Sequence, residues 1–108
     1  MPPVLSIVSV KRKSRKNKAY NLVVVNTGSQ PFQSGILEGK GYNKDGTVIP
    51  VTVPTYITLA PGEETKTDII LNEQKEVRFD TFKERFSPNT YSLNVILKKR
   101  LFGWKVLQ

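Results

Sequence analysis

The stretch Tyr91-Ser92-Leu93-Asn94-Val95-Ile96-Leu97-Lys98 decides the fold class. Side chains of an extended strand alternate between its two faces, so Tyr91, Leu93, Val95 and Leu97 share one face and Ser92, Asn94, Ile96 and Lys98 the other. Working outward from it, short β-rich runs recur, separated by turn residues. Val4 to Val10, Ala19 to Val25, Gly35 to Tyr42, Thr47 to Val53 and Thr65 to Leu71 precede it, with Thr55 to Leu59 as a shorter run. Phe102 to Leu107 follows it and is expected to turn Trp104 and Val106 to the core. Asn43-Lys44-Asp45-Gly46 and Ala60-Pro61-Gly62-Glu63 read as turns, while Gly39 and Gly41 mark a bulge or a close backbone approach. Pro50 and Pro54 place the 47–53 run at a sheet edge, because proline brings no amide hydrogen to a ladder.

One segment departs from this pattern. Between Asn72 and Asn89, Phe79, Phe82 and Phe86 recur at helical spacing, and Thr81-Phe82-Lys83-Glu84 fits a capping box. This predicts a short helical insert near residues 80–86, stopped by Ser87-Pro88. No long helical pattern separates any two runs, which argues against a parallel sheet. The expectation is one domain over residues 1–108, an all-β antiparallel sandwich of about seven strands with that insert as its only helix.

Composition removes several chemistries. The 108 residues contain no cysteine and no histidine, so disulfides, thiolate nucleophiles and the commonest general base and metal ligand are missing. The carboxylates sit mostly in turns among lysines, without calcium-loop spacing, and no glycine-rich phosphate loop follows a strand. No enzyme, cofactor, metal or small-molecule substrate is therefore expected. Met1 to Val10 lacks the basic start and long apolar stretch of a signal peptide, and no transmembrane segment is expected. The compartment stays open between a cytoplasmic protein and an extracellular or virion-surface one whose targeting segment is missing. The formal net charge of +8, from 17 Lys+Arg against 9 Asp+Glu, points to an anionic partner: nucleic acid, an acidic protein face or a lipid headgroup.

Three pieces of the sequence together resemble the immunoglobulin-like modules called CARDB and FxLYD-type domains. Tyr20-Asn21-Leu22-Val23-Val24-Val25-Asn26-Thr27-Gly28-Ser29 is similar to their second strand and N-T-G turn. Leu59-Ala60-Pro61-Gly62-Glu63-Glu64-Thr65 is similar to the L-x-P-G-E turn before a later strand. Ser87-Pro88-Asn89-Thr90-Tyr91-Ser92-Leu93-Asn94-Val95 is similar to their P-G-T-Y strand opening, with Asn89 where glycine is usual. The resemblance implies an immunoglobulin-like sandwich of seven strands, of a kind found in surface, adhesion and envelope proteins. The basic run and the 72–89 insert are not part of that pattern.

Two basic clusters are the candidate binding residues. Lys11, Arg12, Lys13, Arg15, Lys16 and Lys18 make six of the eight residues from 11 to 18, expected as an exposed hairpin loop. Lys98, Lys99 and Arg100 form the second cluster, and the sequence leaves open whether the two join. The first run reads either as an electrostatic contact for phosphates or carboxylates, or as a solubilising turn that discourages edge pairing. Base stacking would need exposed aromatics beside the charge. Tyr20, Phe32, Tyr42, Tyr56, Phe102 and Trp104 are the candidates; Tyr20 and Trp104 are expected in the core, and Phe32 and Tyr42, which flank turns, are expected to be exposed.

Two functions remain. One is a structural or protein-interaction module of a cell-surface, envelope or virion assembly, docking on a protein partner or self-associating through a sheet edge. The other is a basic accessory protein binding nucleic acid, or another polyanion, weakly and non-specifically through residues 11–18. One continuous basic face favours the second; scattered lysines beside an apolar edge favour the first.

Overall fold

In the computed structural model, which describes residues 3–55 and 58–108, the chain forms two antiparallel sheets and, among the described residues, no helix. The strands are β1 (Leu5–Ser14), β2 (Ala19–Asn26), β3 (Gly35–Asn43), β4 (Val48–Thr55), β5 (Glu64–Ile70), β6 (Gln74–Glu84), β7 (Thr90–Lys99) and β8 (Trp104–Leu107). Their order is β1-β2-β5 in the smaller sheet and β4-β3-β6-β7-β8 in the larger. Alternation builds the core. Ile7, Leu22, Val24 and Ile69 point inward from the smaller sheet and meet Leu37, Val53, Val77, Phe79, Phe82, Val95 and Leu97 of the larger. Trp104 and Val106 pack against this core, as the sequence predicts. Of the Thr55 to Leu59 run, Tyr56 and Ile57 lie outside the described residues; Leu59 makes a single bridge to Phe32.

The helical insert expected near residues 80–86 is instead strand. β6 runs to Glu84, and Asp80 has no ladder partner on β3 or on β7. The register slips there, Asp80 and Thr81 both turn outward, and the next inward position moves to Phe82. Aromatics three residues apart therefore mark a bulge here, not a helical turn. Phe82 stacks against Phe32 and Tyr91, with ring centroids 5.5 and 5.2 Å away. Phe86 has left the strand altogether: it is a turn residue with φ 63° and is 94% exposed. Gly39 lies opposite the slip, where a Cβ would collide with the Arg78 carbonyl oxygen. The close approach foreseen for it is real.

β4 is an edge strand, and its prolines sit where they blunt that edge. The Asn43 N–H donates to the Thr47 carbonyl (2.8 Å), and the β3–β4 register runs without a slip from there to Thr55. Antiparallel pairs alternate between hydrogen-bonded and not, so the Lys40–Pro50 and Ile36–Pro54 pairs are of the second kind. An amide at 50 or 54 would face away from β3, toward any incoming strand, and proline supplies none.

Candidate functional site

Because neighbouring strands alternate in direction, the connections divide between two ends of a molecule 39 Å long and 24 Å by 22 Å across. Connections 15–18, 44–47, 71–73 and 100–103 share the upper end. Backbone bonds tie the first three together: Leu71 N–H to the Lys18 carbonyl (3.0 Å) and Lys44 N–H to the Glu73 carbonyl (2.9 Å). Connections 27–34 and 85–89 lie at the lower end.

The 11–18 run is a hairpin loop only in part, a correction to the reading from sequence. Lys11 and Arg12 continue β1 opposite Asn21 and Tyr20, Lys13 lies at a register slip before Ser14 pairs with Ala19, and only residues 15–18 turn. All six basic side chains are exposed. Lys13 forms an exposed ion pair with Asp68 on β5 (2.7 Å). Arg12 donates to the Tyr20 hydroxyl (3.1 Å) with its guanidinium 5.6 Å from the ring centroid. The Tyr20 ring meets Trp104 edge-on at 6.4 Å, and Trp104 pairs with Lys99 across the β7–β8 ladder. Burial opposes ionisation of Tyr20, but the Arg12 hydrogen bond and charge, with the Lys99 charge, outweigh it and hold the phenol below its ordinary pKa. The two basic clusters thus meet across Tyr20.

The larger sheet extends this basic region over its outer face. Register aligns Val48, Tyr42, Glu76, Lys98 and Lys105 in one cross-strand row and Pro50, Lys40, Arg78, Ile96 and Leu107 in the next. Tyr42, Lys75, Glu76, Arg78, Lys98 and Lys99 line an open cleft of ≈ 680 Å³. Its one carboxylate is engaged from two sides: Glu76 accepts from Arg78 (2.7 Å) and lies 4.0 Å from Lys98. Arg78 also covers the Tyr42 ring at 5.5 Å, so this half-buried aromatic presents little open face. Phe32, expected to be exposed, is fully buried: its backbone bridges Leu59 in both directions, 2.8 and 2.9 Å, and that pairing turns the ring onto Phe82. Tyr56 lies outside the described residues.

Val48 and Ile70 are about half exposed at this end, but its most exposed apolar side chains lie in the β7–β8 turn. Arg100 N–H donates to the Gly103 carbonyl (2.9 Å), and Gly103 takes φ 79°, a conformation that favours glycine. The two residues between them are Leu101, 88% exposed, and Phe102, 91% exposed.

No protein-family model matches this chain, and no curated protein matches it. Among the described residues, no group of three or more His, Cys, Asp or Glu could hold a metal ion. Among the same residues, no helix is long and apolar enough to cross a membrane.

Sequence reasoning found both clusters but missed Lys40, Lys75, Arg78 and Lys105. Their alternation with inward residues is visible in the sequence; the register that lines them up is not. Leu101 was missed although its signal was local, since two large apolar residues rarely occupy the middle of a tight turn.

Proposed function

We propose that this protein is a non-catalytic, immunoglobulin-like sandwich module that binds an anionic partner with its upper end. The fold part of this reading is supported by strand order. β1, β2 and β5 lie where strands A, B and E of an immunoglobulin-like sandwich lie, and β3, β6 and β7 where C, F and G lie, with β4 beside C and β8 added beyond G. It is also supported by Asn26, which joins two of the pieces that resemble CARDB and FxLYD-type domains. Its backbone N–H bonds the Glu63 carbonyl (3.0 Å), and its carbonyl accepts from the Gly62 N–H (2.8 Å). Fold alone does not choose a partner.

The observation that carries the functional part is the meeting of the 11–18 and 98–100 clusters across Tyr20. Folding gains little from gathering like charges, so their concentration at one end serves something outside the chain. Strand addition has less support. β4 is blunted by prolines, β5 turns Glu64, Lys66 and Asp68 outward, and β1 spends an outward carbonyl on Gln108 Nε2 (Ile7 O, 3.2 Å).

The test is retention on immobilised heparin at rising salt. The wild-type chain is expected to bind at low salt. Replacing Arg15, Lys16 and Lys18 with serine, or Lys98, Lys99 and Arg100 with serine, should each lower the eluting salt, and the combination should abolish retention. A chain that passes through at low salt would overturn the reading.

A further inference from the structure

We infer that the anionic partner is a lipid bilayer surface, entered by the Leu101–Phe102 tip. This rests on the anion-binding reading of the upper end and names its partner class. The argument begins with the tip. A four-residue turn closed by the Arg100–Gly103 hydrogen bond holds two adjacent large apolar side chains about nine-tenths in water. Nothing in the turn needs them: the bond is backbone to backbone, and Gly103 alone meets the left-handed geometry. The equally exposed Phe86 of the lower end differs in having no apolar neighbour beside it: Arg85 precedes it, with its guanidinium over one face of the ring at 4.7 Å, and Ser87 follows.

Charge completes the pattern. Lys98, Lys99 and Arg100 precede the tip and Lys105 follows it, so an apolar point stands within a basic collar. At about 3.3 Å per residue, Lys99 and Lys105 lie within roughly 10 Å of the tip, close to the Debye length at physiological salt. When the tip enters the acyl boundary, the collar therefore meets the headgroups. Each Lys or Arg near an anionic surface strengthens binding by about fivefold. Each large apolar side chain taken out of water contributes about tenfold to a hundredfold.

Shape and chemistry separate a bilayer from a nucleic acid. Bases stack on flat aromatic faces set in a groove, and Leu101 offers no such face. The aromatic that does sit in the basic cleft, Tyr42, is already covered by Arg78. A convex aliphatic–aromatic point inside a cationic ring suits hydrocarbon beneath anionic headgroups.

The test uses the full chain with sedimented vesicles of phosphatidylcholine alone and of phosphatidylcholine with phosphatidylserine, alongside heparin and a labelled mixed-sequence single-stranded DNA. Binding is expected to the anionic vesicles and not to the neutral ones. Leu101→Ser with Phe102→Ser should weaken vesicle binding by about a hundredfold while leaving heparin retention and the thermal midpoint unchanged. Lys98→Ser, Lys99→Ser and Arg100→Ser together should weaken both. Heparin retention without vesicle binding, or vesicle binding that ignores the tip variant, overturns the bilayer inference and leaves the anion-binding end standing. DNA binding that requires Phe102, without vesicle binding, overturns it in favour of base stacking. Failure on both heparin and vesicles overturns both.

Discussion

At the lower end of the molecule a buried polar side chain is spent on the chain itself; at the upper end the connections carry an excess of exposed basic side chains. Asn26 is fully buried below. Its amide donates to the carbonyls of Gln30 (2.8 Å) and Leu59 (3.0 Å), and its side-chain oxygen accepts from the Gly28 N–H (3.0 Å). One side chain thereby satisfies the crossover between the two sheets, beside the Phe32–Phe82–Tyr91 aromatic stack. The upper connections instead carry Arg15, Lys16, Lys18, Lys44 and Arg100 against Asp45 and Glu73. Buried, satisfied polar groups specify a fold, whereas exposed like charges contribute little to it. The lower end is where stability is expected to reside and the upper end where binding is.

The largest effect that could break this division is on stability. Phe82→Ala removes the middle ring of the stack and is expected to cost about 3–5 kcal/mol in denaturant unfolding. Asn26→Ala leaves the Gln30 carbonyl and the Gly28 amide without this partner, while the Leu59 carbonyl keeps its bond from the Phe32 N–H, and is expected to cost about 2–3 kcal/mol. By contrast, replacing Arg15, Lys16 and Lys18 with serine should change unfolding by less than about 0.5 kcal/mol. A loss comparable to that of Asn26→Ala would erase the distinction between the ends.

A smaller effect sharpens it through two tyrosines. Tyr20, above, has its pKa lowered as described. Tyr91, below, has its pKa raised by burial and by the neighbouring Glu84 carboxylate. Folded Tyr20 releases its proton while the unfolded chain still holds one, so its shift adds stability as pH climbs from its folded value to the ordinary phenol range. Folded Tyr91 keeps its proton after the unfolded chain has lost it, so its shift removes stability above that range. Absorbance titration should show a first-ionising tyrosine that vanishes in Tyr20→Phe and moves to higher pH in Arg12→Gln. If Tyr91→Phe removes the first step instead, the upper end does not carry the local potential described.

The legible part of this fold was what period two and turn chemistry encode. The alternation of Tyr91 to Lys98, the proline-marked edge at β4 and the tight approach at Gly39 could all be read from the chain. The helix expected near residues 80–86 could not be told from a bulge, because one unpaired residue, Asp80, gives Phe79 and Phe82 the spacing of a helical turn. Phe32 read as exposed because it flanks a turn, yet a single long-range bridge to Leu59 buries it. The candidate site was half legible for the same reason. Both clusters stand out as runs, but their meeting at Tyr20 depends on Trp104 being brought beside β2 by the packing of the two sheets.

Backbone amide shift mapping with unlabelled heparin tests the division of the two ends most directly. Titration of ¹⁵N-labelled protein should move the amides of residues 11–18 and 98–105, with those of Lys44 and Lys75, and leave residues 26–34 and 85–89 in place. Perturbations centred on 26–34 or 85–89, or spread evenly over both ends, would contradict the account.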